Sequence, residues 1–182
     1  MTEVWNENER LLSHAGRGVV LDTMREYFGV WLAMALRREI DGGSDSVSLR
    51  RLLEEMERHA PSLTEAQLRR LWDDPSGRFT SRTFPNYADP SGTHLDPAVP
   101  RAHVEQLVAT SDALRLFVNR NLAHRSRREN VPPPTFDELH VLADTCETIA
   151  KPYVMLLTGA AYSFSPVEQF EWIDIFDFPW RV

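Results

Sequence analysis

Leu139, Leu142, Cys146, Ile149, Tyr153 and Leu156 follow one another in steps of three and four. That spacing keeps one stripe of a helix apolar over successive turns. It is the strongest periodic signal in the 182 residues and commits this part of the chain to a long helix lying against a core. Thr135 and Glu138 have capping-box spacing and set its start. Pro152 lacks a donor and crowds the carbonyl four residues earlier, which predicts a kink over 148–151.

The same spacing recurs upstream. Val20, Met24, Tyr27, Phe28, Trp31, Ala35 and Leu36 predict a core helix over Val19–Ile40, preceded by a short helix over Glu3–His14 and weakened between them by Gly16 and Gly18. Asp41 to Ser44 stop it. Ser46 or Ser48 then caps a helix at about Leu49–His59, with Leu49, Leu52, Leu53 and Met56 buried. Ser62 with Glu65 predicts a further short helix toward Trp72. Pro100 suits a first helical turn, and Val104, Leu107, Val108, Leu114, Phe117, Val118 and Leu122 carry that helix to about Ser126. Between Asp73 and Pro100, prolines at 75, 85, 90, 97 and 100 with Gly77 and Gly92 predict a long loop that packs over a site, wraps a partner or hides a short helix. The tail, 166–182, carries Phe170, Trp172, Phe176, Phe178 and Trp180 and is expected to dock as a last short helix and extended end. With no repeat and no strand pair visible, the reading is all-α: one domain over 1–182, a bundle of four to five main helices.

This length supports a core without metals or disulfides, and 42% apolar with 26% charged residues suits a folded domain. The single cysteine, Cys146, has no partner for an internal disulfide and no second sulfur for zinc, so a reducing compartment and a buried, inert thiol are expected. No stretch has membrane-spanning length, and the first ten residues are acidic, so the expected location is cytoplasmic. The net charge of −7 disfavours a chain coated in positive potential for nonspecific nucleic-acid binding. Yet Arg101–Arg128 carries +4, leaving −11 on the remainder.

Glycine-rich phosphate loops, paired-cysteine motifs, HExxH and GxSxG are all absent, and no cofactor or metal is expected. His14, His59, His94, His103 and His140 lack metal-ligand spacing and read as surface or capping residues. His124 differs. Arg120 lies one helical turn before it and Asn121 three residues before it, offsets that share a helix face. An imidazole moves protons near neutral pH, a guanidinium grips phosphate through paired hydrogen bonds, and an amide orients either. These are the parts required for metal-free RNA cleavage. A solvated basic helix end, favoured by the helix dipole, is the alternative.

The segment Val118-Asn119-Arg120-Asn121-Leu122-Ala123-His124-Arg125 resembles the signature of HEPN proteins, the helical family named for higher-eukaryote and prokaryote nucleotide binding, and is most similar to the AbiU-type branch tied to phage abortive infection. Three other stretches resemble that branch in the same order: Arg38–Leu53, with Asp41 ahead of Ser-Leu-Arg-Arg-Leu-Leu; Thr135–Leu157; and Gln169–Trp180 with its Pro-Trp. The resemblance implies a helical bundle that forms a homodimer, placing two copies of an arginine-polar-spacer-histidine motif across one cleft. It also implies metal-independent RNase or toxin activity, with RNA or a nucleotide as ligand and an antitoxin as partner. Aligned on Ala123-His124, Asn119 takes the polar position, Arg120 the basic residue after it and His124 the histidine. Val118 stands where the family has its catalytic arginine, and a valine cannot bind phosphate.

The resemblance supports two readings. In one, His124 is the general acid/base, Arg120 the phosphate ligand and Asn119 the orienting residue, while Arg125, Arg127, Arg128 and Asn121 extend the RNA-binding surface. In the other, the branch keeps the fold and binds a nucleotide or a protein without cutting.

Overall fold

The computed structural model describes residues 18–78, 80–122 and 131–159. The chain divides into two compact units, one drawn from 1–31 and 165–182, the other from 32–164. Among the described residues there are six α-helical segments: α1 Gly18–Glu39, α2 Leu49–His59, α3 Glu65–Leu71, α4 Thr80–Thr83, α5 Ala98–Phe117 and α6 Phe136–Thr158. No strand occurs among them beyond a single antiparallel bridge between Ala88 and Leu95. The unit of residues 32–164 is an all-α bundle in which α5 packs on α2 and α6, and α3 packs on α6. No helix among the described residues is long and apolar enough to cross a membrane.

α6 carries the stripe that the sequence predicts. Leu139, Leu142, Cys146, Ile149, Tyr153 and Leu156 are all buried. Each fully buried aliphatic side chain contributes about 1.5–3 kcal/mol relative to an exposed one. Thr135 and Glu138 form the reciprocal cap: the Thr135 hydroxyl accepts the Glu138 N–H, and the Glu138 carboxylate accepts the Thr135 N–H at 2.7 Å. The Thr135 N–H, and secondarily the Thr135 hydroxyl, which donates to the same carboxylate at 3.0 Å, hold the Glu138 carboxyl below its ordinary range, so this part of the cap persists at neutral pH and is lost as pH falls through the lowered value. The helix continues across Pro152 and ends at Gly159, whose φ of +68° suits a residue without Cβ. A Cβ there would lie 3.1 Å from the Trp72 ring, so the end of α3 rests on the end of α6.

Other boundaries shift for local reasons. Ser48 caps α2, accepting the Arg51 N–H at 3.0 Å. The α3 cap is Thr64 with Gln67 instead of Ser62 with Glu65, because Pro61 sits in a tight 3-10 turn over Ala60–Ser62 that delays the helix. α5 begins at Ala98, since the Asp96 carboxylate accepts the Ala98 N–H at 2.8 Å. On α1 the buried positions are Ala33, Leu36 and Ile40, while Tyr27 and Trp31 are 73% and 64% exposed. The helix is apolar on more than one face.

Residues 73–100 are a folded segment containing α4 and a 3-10 turn over Phe84–Asn86. Two aspartates organise it. The Asp74 carboxylate accepts the N–H and hydroxyl of Thr80 at 3.1 and 3.0 Å, and the Asp89 carboxylate accepts the N–H groups of Ser91, Thr93 and His94. Those bonds depress the Asp89 pKa, the Ser91 hydroxyl contributing most. Leu95 and Phe84 anchor the segment in the core.

A polar contact crosses the core between α5 and α6. His103 Nδ1 lies 2.7 Å from the Tyr153 hydroxyl, their rings meet edge to face, and Tyr87 packs 5.9 Å from Tyr153. Burial lowers the His103 pKa, favouring a neutral ring that accepts the Tyr153 proton.

Two substitutions separate core from cap. Tyr153→Ala is expected to lower the unfolding free energy by about 3–5 kcal/mol, and Thr135→Ala by about 1 kcal/mol. Urea denaturation measures both, and equal losses would show that the α6 seam is not the centre of the fold.

Candidate functional site

α5 holds its α form to Phe117, and Val118–Leu122 continue as a π-helix. The Val118 N–H lies at the change of form, shared between the carbonyls of Arg115 and Leu114. A π turn accommodates an extra residue and rotates the succeeding side chains relative to an α-helical register, and such turns concentrate at functional sites. The buried face descends through Leu107, Ser111, Leu114 and Phe117 to Val118, which is only 2% exposed. Val118 is therefore a core position in this chain.

The next residues face outward. Asn119 and Arg120 are both exposed, and among the described residues neither has a side-chain hydrogen bond or ion pair. Arg120 differs in this from its neighbours on α5. Arg115 is held by Asp112 at 3.2 Å, and Arg101 by Glu57 at 2.7 Å, an ion pair that raises the Arg101 pKa. Of the three described arginines in the basic stretch, Arg101 and Arg115 are thus answered locally, and Arg120 has no carboxylate within ion-pair distance among the described residues.

Asn121 has a different partner. Half-buried, it donates its amide N–H to the Val131 carbonyl at 2.6 Å, joining the π turn to the residues that lead into α6. Of the expected anion-binding residues, Asn121 is engaged by the protein's own backbone and Arg120 is available to a ligand. His124, Arg125, Arg127 and Arg128 lie outside the described residues. The exposed pair Asn119–Arg120 presents an amide and a planar cation at the surface.

Elsewhere the histidines divide. His59 lies 3.4 Å from Glu55 on the surface, and His94 Nδ1 lies 2.9 Å from the Leu95 carbonyl. His103, expected at the surface or as a cap, is the core partner of Tyr153. Its place four residues before Leu107 on the buried stripe is the signal that could have found it. Cys146 is buried as expected, its thiol pushed up to about 11 by burial and secondarily by the Glu39 charge, so it is not a nucleophile at neutral pH. Among the described residues no three His, Cys, Asp or Glu side chains gather into a set that could hold a metal ion.

Comparison with known proteins adds a family. Residues 7–175 match the family model HEPN_AbiU2, described as AbiU2. No curated protein and no solved structure matches the chain. The match spans nearly the whole sequence and the described residues are all-α: the chain belongs to the HEPN AbiU2 family.

Proposed function

We propose that this protein is a cytoplasmic, metal-independent endoribonuclease of phage abortive infection, acting as a homodimer, with Arg120 in the part of the missing motif arginine. The observation that carries this is an exposed arginine without an ion pair among the described residues, two positions beyond the buried Val118. In this reading the His124 imidazole of one protomer takes the proton from a ribose 2′-hydroxyl. The 2′-oxygen bonds to phosphorus, the bond from phosphorus to the 5′-oxygen breaks, and the protonated His124 of the other protomer supplies the leaving oxygen's proton. A 2′,3′-cyclic phosphate and a free 5′-hydroxyl result. Arg120 binds the phosphate oxygens, most strongly as negative charge builds on them, and Asn119 orients the phosphate or the imidazole. Two-fold pairing fits the exposed apolar face of α1, where Tyr27, Val30 and Trp31 stand in solvent. An antitoxin would act on this same dimer.

A second reading has its own support. Val118, which the resemblance aligns with the motif's arginine, is 2% exposed, and this supports a branch that binds a nucleotide or a protein partner without cutting.

His124→Ala is expected to lower cleavage of labelled RNA about a hundred- to ten-thousand-fold, with far-UV circular dichroism unchanged; an unaltered rate removes His124 from the reaction, and wild-type protein that binds RNA without cutting it favours the second reading. Val118→Arg is expected to destabilise the fold by roughly 3–5 kcal/mol, because a charge without a partner enters the core, and not to raise the cleavage rate. A stable and faster Val118→Arg enzyme would mean that position 118 faces the substrate. Light scattering at micromolar concentration should give the mass of a dimer, and Trp31→Asp should shift it toward the monomer. A monomeric wild type would remove the shared cleft from the mechanism.

A further inference from the structure

On α2 and α5 the surface arginines are neutralised where they stand: Arg50 by Glu54, Arg58 by Glu55, Arg101 by Glu57 and Arg115 by Asp112. The stretch from the end of α3 through α4 departs from this. Arg69, Arg70, Arg78 and Arg82 are all exposed, and among the described residues none lies within ion-pair distance of a carboxylate.

The fold gathers these cations. Arg69 and Arg70 close α3, and the chain then turns back: the Asp74 N–H donates to the Arg69 carbonyl at 3.0 Å, and the Gly77 N–H to the Asp74 carbonyl at 3.0 Å. Gly77 has a φ of +65°, and a Cβ built on it would lie 1.5 Å from Arg69 Nη2, so the guanidinium lies directly over the glycine backbone. Arg69 is thereby brought to the residue that precedes Arg78 in the chain. The Ser81 N–H donates to the Gly77 carbonyl at 2.9 Å, so the chain makes one turn between Arg78 and α4, on which Arg82 lies. The carboxylate nearest in sequence to Arg78, that of Asp74, is taken up by Thr80 and Ser76. Like charges one turn apart oppose folding slightly, and an anion lying across them reverses that sign. Planar, exposed guanidinium groups close together in the chain suit phosphate oxygens better than a protein's scattered carboxylates.

We propose that Arg69, Arg78 and Arg82, with Arg70 alongside, form a track for the phosphate backbone of single-stranded RNA, holding substrate away from the reacting phosphate. The choice of RNA rests on the function proposed for the α5 motif; the cluster itself does not. The test is fluorescence anisotropy with the full chain and a labelled 2′-O-methyl oligouridylate, which cannot be cut. The triple variant Arg69→Gln, Arg78→Gln, Arg82→Gln should bind on the order of ten-fold more weakly at physiological salt, and its slope of log Kd against log salt should fall by roughly 2, about 0.7 per lost contact. The matching triple lysine variant should keep most of the affinity, with circular dichroism verifying the fold of both. Unchanged affinity and slope in the glutamine variant, or no binding by the wild type, overturns the track. RNA that is bound through these arginines but not cut upholds the track and overturns the nuclease reading, whereas cutting with binding insensitive to the glutamine changes overturns the track alone.

Discussion

The packing of α5 between α2 and α6 fixes almost everything else of consequence. Leu107 and Ser111 are fully buried at its middle, and the Ser111 hydroxyl donates to the Val108 carbonyl at 3.1 Å. A small side chain whose only polar atom is satisfied within its own helix permits close approach of the neighbouring helices without leaving an orphaned donor. The rotation of α5 is set at this point, and the same face continues to Leu114, Phe117 and Val118. Because Val118 must point inward, Asn119 and Arg120 are carried outward.

That constraint gives the motif a physical meaning. A charged side chain at 118 would have to leave water for the contact between α5 and its neighbours, at a cost of several kcal/mol unless paired. The fold therefore tolerates a cation two residues later more readily than at 118. The π turn bears on how Asn119 to Asn121 are presented, since an added residue rotates side chains away from an α-helical register. Asn121 takes part in that presentation by holding the Val131 carbonyl, which ties the exit of α5 to the approach of α6. A residue placed by spacing among the ligands of an anion is thus committed to the backbone.

How much of this was legible in the sequence depends on where the stabilising groups lie. The α6 stripe and the Thr135–Glu138 cap could be read because both are repeats of one residue's relation to another three or four away, which is the helix's own geometry. The start of α3 was misplaced by two residues because Pro61 favours a tight turn that spacing rules do not register. The order within 73–100 was hidden for a different reason: it comes from the carboxylates of Asp74 and Asp89, whose bonds follow no period. On α1 the apolar spacing foretold a helix, but a helix apolar on several faces does not say which one the core takes. At the site, the position of Arg120 near the end of a central helix was legible; the π turn, the Asn121–Val131 contact and the His103–Tyr153 pair depend on tertiary neighbours and were not.

Charge is the last consideration, because the ligand proposed for this acidic chain is itself an acidic polymer. The net charge of −7 would matter only if a ligand sensed the whole molecule. At physiological ionic strength screening confines surface charges to about 8 Å, so a phosphate responds to the few groups beside it. On α2 glutamates stand three or four residues from arginines and cancel them, an arrangement the helix supplies without cost to its packing. Among the described residues, positive charge then survives mainly where the chain departs from that pattern: at the turn that folds Arg69 over Gly77, and at the π turn that exposes Arg120. Among the described residues, local backbone geometry thereby confines attraction for anions to a few places, which is the charge pattern that the proposed binding of a defined strand requires.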